Sequence, residues 1–350
     1  MHNIGMRRRS FCAAAAGSLG PVPSGQPKPG LRTGIDLFSL RSQGWTALEF
    51  LDYCARLKAD VVHFSEIRFL GGLDPGRLKQ VHEHARRLGI QIEVGMRSIC
   101  PSSGTFDPQQ GAAEEQIARM LEAARILGSP IVRAFLGNSA DRRGKLSIEQ
   151  HIENTVRVLR ASRPRILDSG VKIAIENHSG DMQARELKML IEEAGPDIAG
   201  VCLDSGNPLW AIEDPHLTLE TLAPYVLTAH LRDSAVWRTS EGSAVQWVRL
   251  GEGNVGIGDY IRRFAELCPG KTLSLEVIIT GPVAQRFLQP EFWQAYRNTP
   301  AWEFARFLAL AEKGKPRPAP APPSSKQEAA ARERQDLEAS LRWLREWSTA

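Results

Sequence analysis

Residues 171–181 read VKIAIENHSGD. Five residues suited to the interior of a buried strand, 171–175, run directly into Glu176, Asn177 and His178, then into Ser179-Gly180-Asp181. A short apolar run bounded by turn residues is the pattern of a strand covered on both faces, as in a parallel sheet. That reading puts a carboxylate, an amide and an imidazole at the strand's C-terminal end. One such ending could open any loop, so its meaning depends on whether it recurs.

Outward from this stretch, apolar, β-branched runs alternate with helical patterns. The strand candidates are 31–40 (LRTGIDLFSL), 60–66 (DVVHFSE), 90–96 (IQIEVGM), 130–136 (PIVRAFL), 171–176, 199–204 (AGVCLD), 226–232 (VLTAHLR) and 272–278 (TLSLEVI). Between them lie stretches such as PGRLKQVHEHARRLG (75–89) and EEQIARMLEAARILG (114–128), apolar at helical spacing and closed by glycine, a usual helix stop. Strict β-α alternation implies a parallel sheet with crossover helices. Eight such units fit a closed (β/α)8 barrel, with an open doubly wound sheet as the competitor.

The last four strand candidates end in metal-ligand types: VKIAIE at Glu176, VCLD at Asp204, VLTAH at His230 and LSLE at Glu276. In a parallel barrel every strand points its C-terminal end at one face, where active sites are built. A single acidic residue there is more often a loop cap or an ion-pair partner; four on consecutive strands converge. Three carboxylates and one imidazole form a hard O/N set that suits Mn²⁺ or Mg²⁺ with open positions, and also Co²⁺, Fe²⁺ or Zn²⁺.

The stretches IENHSGD, VCLDSGNP, HLRD, LGEGNVGIGDY and LSLEVI together resemble the xylose isomerase-like TIM-barrel superfamily, in particular its sugar phosphate isomerase/epimerase branch, over residues 31–310. The resemblance implies one divalent metal ion held by Glu176, Asp204, His230 and Glu276, with Glu176 and Glu276 also moving protons. A ketose would present a hydroxyl and a carbonyl to the metal, which acidifies the adjacent C–H. Proton removal and return on opposite faces gives an epimerase; delivery to the neighbouring carbon gives an isomerase. The same site could serve a lyase or hydrolase of keto-sugars, and a sugar-binding barrel without turnover is the non-enzymatic alternative. His63, Glu66, Arg97, Arg133, His178, Asn207, Arg232 and Asp233 are candidates to line the sugar or polyol pocket, with Arg68 beside them. Asn207 stands where relatives often carry a histidine and is the poorer proton shuttle.

Other features exclude more than they include. The chain has 350 residues, 42% hydrophobic and 24% charged, with 44 basic against 40 acidic residues, a net charge of +4. This mild excess is not the basic stripe of a nucleic-acid binder. No apolar run reaches the roughly 18 residues of a membrane span. Five scattered cysteines without a CxxC pair argue against disulfides and zinc-thiolate sites. Residues 251–256, GEGNVG, match the dinucleotide fingerprint but arrive after six βα units behind a thin, mixed run. An endonuclease with three zinc ions is disfavoured by Asn207 and by the lack of an Asp-x-His before Gly251.

At the N-terminus, Arg8-Arg9-Ser10-Phe11 and the small-residue run after it resemble a twin-arginine export signal, so residues 1–29 are set apart from the fold and a periplasmic or exported location is expected, cytoplasmic otherwise. The barrel is assigned to residues 30–312. Residues 313–350 read as a Pro-rich linker and a helix that packs on its own barrel or serves a homo-oligomer.

Overall fold

The computed structural model describes residues 31–349. The expected export signal and N-terminal extension lie outside the described residues. Along the chain the strands are β1 (Thr33–Asp36), β2 (Val61–Phe64), β3 (Gln91–Ser98), β4 (Ile131–Phe135), β5 (Lys172–Glu176), β6 (Ala199–Asp204), β7 (Val226–Leu231), β8 (Asp233–Thr239), β9 (Gly242–Val248), β10 (Leu273–Leu275) and β11 (Val283–Gln285). The helices are α1 (Ala47–Arg56), α2 (Ile67–Leu70), α3 (Pro75–Leu88), α4 (Ala113–Leu127), α5 (Ser139–Arg142), α6 (Ile148–Ser169), α7 (Ala184–Ala194), α8 (Pro215–Leu222), α9 (Ile257–Leu267), α10 (Ala301–Lys313) and α11 (Lys326–Thr349).

Strands β1 to β7 and β10 close a barrel in which every neighbouring pair is parallel. The (β/α)8 architecture follows from the alternation: each crossover helix buries one apolar stripe against the strands, and local signals set its ends. Thr46 and Glu49 form a reciprocal capping box at α1, Asp74 caps α3 ahead of Pro75, and Gly89 ends α3 in the left-handed region at φ 72°. The strands read as unbroken apolar runs because both faces are covered. Barrel closure is tight enough that a Cβ on Gly34 would lie 2.2 Å from Ser274 Oγ.

Two expectations shift. The first strand ends at Asp36, and Leu37–Leu40 turn into a single 3-10 turn started by the Asp36 carboxylate, which accepts from Phe38 N at 2.7 Å. The last barrel strand stops at Leu275, leaving Glu276 immediately beyond it.

Between β7 and α9 the chain inserts the hairpin β8–β9, which joins β11 in a three-stranded antiparallel sheet. The glycine-rich loop that follows holds an anion of its own chain: Gly251 N and Gly253 N donate to Asp233 Oδ2 at 2.9 and 3.0 Å. Successive backbone N–H groups make such an anion-binding concavity without any nucleotide.

Residues 31–349 form one compact unit, α11 included. Leu337, Leu341 and Leu344 of α11 enter the main core, Glu333 accepts from Ser42 N at 2.9 Å and Ser42 Oγ at 2.7 Å, and Tyr53 Oη donates to Glu338 at 2.7 Å. The Pro-rich stretch also docks: Arg317 reaches Glu252 and Gln246 Nε2 donates to Pro318 O. Cys54, Cys100, Cys202 and Cys268 are buried and free. No helix among the described residues is long and apolar enough to cross a membrane.

Candidate metal centre and active site

Strand register carries the site. Glu176, Asp204 and His230 end or nearly end β5, β6 and β7, Asp204 pairs across the ladder with His230, and Glu276 follows β10. One ligand atom from each of these four buried residues lies within 4.8 Å of the other three. His230 Nδ1 is central, 3.0 Å from Glu276 Oε2, 3.5 Å from Glu176 Oε2 and 3.9 Å from Asp204 Oδ2. Buried polar atoms are nearly always hydrogen-bonded. Yet Asp204 Oδ2, His230 Nδ1 and Glu276 Oε2, three of the converging atoms, form no well-directed hydrogen bond; the cation facing Asp204 Oδ2 and Glu276 Oε2 is Arg232. Buried donor atoms of this hard O/N type, converging from four strand ends, fit a divalent cation.

The remaining atoms are committed to holding the arrangement. Asp204 Oδ1 accepts from Gly206 N at 2.7 Å and Asn207 N at 2.8 Å, which leaves Oδ2 to face the centre. Asn177, the amide of the decisive stretch, ties the β5 and β6 ends together: its Nδ2 donates to Asp204 O and its Oδ1 accepts from Asp204 N, each at 2.9 Å. Asp181 closes the same turn by accepting from His178 N, Met182 N and Gly137 N.

Behind His230 lies a second set of polar groups. Its Nε2 is 3.0 Å from His63 Nδ1 and 3.3 Å from Asp36 Oδ2. With a metal ion on Nδ1, Nε2 would carry the proton that these partners accept, the usual way a ligating histidine is oriented. Asp36 Oδ1 is held by Phe38 N and by Ser65 Oγ at 2.8 Å, and Glu93 accepts from Thr228 Oγ1 at 2.7 Å.

Electrostatics follow from burying so many charges. Burial pushes Glu176 and Glu276 up, but the guanidiniums of Arg133 and Arg232, together with His230, outweigh it; Glu176 is held well below the usual carboxylate range and Glu276 at about 2. Burial, reinforced by the charge of Glu276 and for Asp204 also by that of Glu176, pushes Asp204 and Asp36 each up to about 7. Burial also lowers His63, reinforced by His230 and Arg133. For His230 burial acts downward, but Cys202, Glu176, Glu276 and Asp36 outweigh it and raise the imidazole well above its ordinary value.

The expected pocket residues separate into three groups. Arg133, Asn207 and Arg232 touch the centre: Arg133 pairs with Glu176, Asn207 Nδ2 donates to Glu176 Oε1 at 3.1 Å, and Arg232 meets both Asp204 and Glu276. His178 stands at its edge, stacked on Phe135 with ring centroids 4.0 Å apart and bonded through Nδ1 to Gly137 O at 2.7 Å. Glu66 and Arg97 line a cavity of about 340 Å³ with Arg68, Asp107 and Arg119 at the β2–β3 end of the mouth.

Two expectations need correction. His63 is fully buried and backs the metal ligand rather than lining a sugar pocket, because its side chain points into the barrel toward His230. Asp233 is turned into the glycine loop, its two oxygens taken up by Ser234 N, Gly251 N and Gly253 N.

Three neighbours of the site were not legible beforehand. Asp36 was hidden inside an apolar run that continues past its strand, and only the short β1 reveals it as a strand end. Trp247 of the inserted hairpin lies with its ring 4.2 Å from Arg232 Cζ, donates through Nε1 to Gly206 O at 3.1 Å, and packs on Trp210 at 4.5 Å between ring centroids.

The chain belongs to the xylose isomerase-like TIM-barrel family, whose profile matches residues 47–293. It is similar to the 3-oxo-isoapionate decarboxylase of Pectobacterium atrosepticum, 24% identical over 188 residues that cover 54% of this chain and 61% of that protein. It thus spans less than two thirds of the length of that relative. The fold is shared with D-psicose 3-epimerase with D-tagatose from Clostridium cellulolyticum H10 (TM-score 0.56, 13% identity, 88% of this chain and 99% of the other). It is also shared with the IOLI protein with a binding zinc atom (TM-score 0.55, 16% identity, 80% and 96%).

Proposed function

We propose that this protein is a divalent-metal-dependent carbohydrate enzyme that moves a proton beside a carbonyl, as an isomerase or epimerase. The convergence of four buried ligand atoms from four strand ends, three of them without a well-directed hydrogen bond, is the observation that carries the reading. Glu176, Asp204, His230 and Glu276 would hold the ion, Mn²⁺ first among the candidates. When bound, such an ion polarises a carbonyl and offsets the negative charge that develops as the adjacent C–H is lost.

The chain's own residues supply the rest. Glu176 and Glu276, kept ionised by Arg133 and Arg232, are bases in the resting site. One would accept the substrate's proton and the other return it, to the opposite face for epimerisation or to the neighbouring carbon for isomerisation. Asn207, through Nδ2 on Glu176 Oε1, orients that carboxylate, and its unpartnered Oδ1 is available to a sugar hydroxyl. Trp247 covers one face of Arg232 and packs on Trp210 on the side of the inserted hairpin.

A second reading, decarboxylation of a keto sugar acid, is favoured by the decarboxylase name of the relative from Pectobacterium. There the electrons of the breaking C–C bond flow to the polarised carbonyl, CO₂ leaves, and a proton from water, relayed by the carboxylate of Glu176 or Glu276, is added to the carbon.

The test is elemental analysis of the purified protein beside Glu176→Gln and His230→Ala, followed by incubation of the loaded wild type with D-fructose in D₂O. About one divalent ion per chain, lost in both variants, and deuterium entering next to the carbonyl support the first reading. A wild type that stays empty when offered Mn²⁺, Mg²⁺, Co²⁺ and Zn²⁺ overturns both readings. CO₂ release from 3-keto sugar acids without exchange into ketoses selects the second.

A further inference from the structure

The two buried arginines of the centre differ in one respect. Arg133 is satisfied: its Nε and Nη2 engage Glu176 and its Nη1 donates to Met96 O at 3.3 Å. Arg232 is only 4% exposed, yet its Nη1 has no partner. Its Nε lies 2.8 Å from Asp204 Oδ2 and its Nη2 meets Glu276, so one edge of the guanidinium faces two of the candidate metal ligands while Nη1 is left over.

The side chain is held in place for this. Ser205 Oγ accepts from Arg232 N at 2.9 Å and donates to Arg232 O at 2.8 Å. The Trp247 ring covers one guanidinium face at 4.2 Å, and Gly206 makes the fit: a Cβ there would sit 2.8 Å from Arg232 Cβ and 3.0 Å from Trp247 Nε1. A permanent cation fixed against Asp204 and Glu276 competes with a metal ion for the same carboxylates. Sugar hydroxyls, which are neutral, need no such cation; an oxyanion does.

Resting on the reading of a metal-dependent carbohydrate enzyme, we infer that Arg232 is an oxyanion clamp and that the substrate is a sugar acid whose carboxylate it holds beside the metal centre. A planar guanidinium walled by Trp247, with one nitrogen free, matches a planar carboxylate better than a phosphate, which takes donors from several directions. Trp247, supplied by the inserted hairpin, sets the position of the clamp.

The experiment is calorimetric titration of the Mn²⁺-loaded full chain with three probes: 2-keto-D-gluconate, D-fructose and D-fructose 6-phosphate. Wild type is expected to bind the keto acid at least tenfold more tightly than the other two. In Arg232→Gln that advantage, read as the ratio of the keto-acid Kd to the fructose Kd, disappears, and Arg232→Lys restores part of it. If Arg232→Gln does not fold, Trp247→Leu provides the second variant, with a selective loss of at least threefold for the keto acid.

An acid preference that survives unchanged in Arg232→Gln overturns the inference, since the metal alone would then hold the carboxylate. So does a wild type that favours fructose or the phosphate ester, and both leave the metal-dependent reading standing. A protein that takes up no Mn²⁺, or binds none of the three probes, overturns that reading and the clamp with it.

Discussion

Replacing Arg133 by methionine tests whether Glu176 faces a cation. Arg133 is 5% exposed and Glu176 fully buried, so the variant leaves a carboxylate with only Asn207 Nδ2 at 3.1 Å and His230 Nδ1 at 3.5 Å. Removing one partner of a buried ion pair costs about 3–5 kcal/mol. At about 2.1 cal/mol/K per residue over about 320 described residues, the unfolding entropy is near 0.7 kcal/mol/K, so the metal-free Tm should fall by about 4–7 °C.

Saturating Mn²⁺ changes the comparison. An ion at about 100 times its Kd stabilises a protein by about 2.7 kcal/mol. In Arg133→Met it would also become the principal counter-ion of Glu176, with less cationic repulsion to overcome, so it should stabilise the variant more than the wild type. Differential scanning calorimetry with EDTA and with Mn²⁺ is the assay, and the gap between the two proteins is expected to shrink to less than half on loading. Arg133→Met/Glu176→Gln, which removes both partners, should recover much of the metal-free Tm and respond weakly to Mn²⁺. A gap that is the same with and without metal would refute the placement of Glu176 at the metal centre.

Two further outcomes concern stability away from the centre. Glu213 is buried, accepts from Ala184 N at 3.0 Å and Thr218 Oγ1 at 2.6 Å, and burial pushes its carboxyl up to about 7 from an ordinary 4.5. The folded chain therefore binds more protons than the unfolded one between these values, so stability is full below pH 4.5 and is lost as pH rises through 7, by on the order of 3 kcal/mol. In Glu213→Gln, urea unfolding at pH 4 to 8 should show this part of the slope removed; an unchanged slope would assign it to other groups. Leu337 of α11 is fully buried in the main core, so Leu337→Ala should cost about 2–5 kcal/mol in urea unfolding. A loss below about 0.5 kcal/mol, the size of an ordinary surface change, would mean that α11 does not dock on the barrel.

What the sequence determined by itself was the barrel and the end of it that matters. Alternating apolar runs and helical stripes require a parallel sheet, and all its strands point one way, so the sequence alone places Glu176, Asp204, His230 and Glu276 on one face. Periodicity does not report depth or partner. Barrel closure and register decided that Asp36 pairs with His63 and that His63 turns inward to back His230. An insertion on no repeat of the βα rhythm brought Trp247 over Arg232, and the loop after it folded its amides onto Asp233. These contacts join residues far apart in the chain, and each depends on burial and on which atoms are left unpaired, which is a property of the closed barrel and not of any stretch within it.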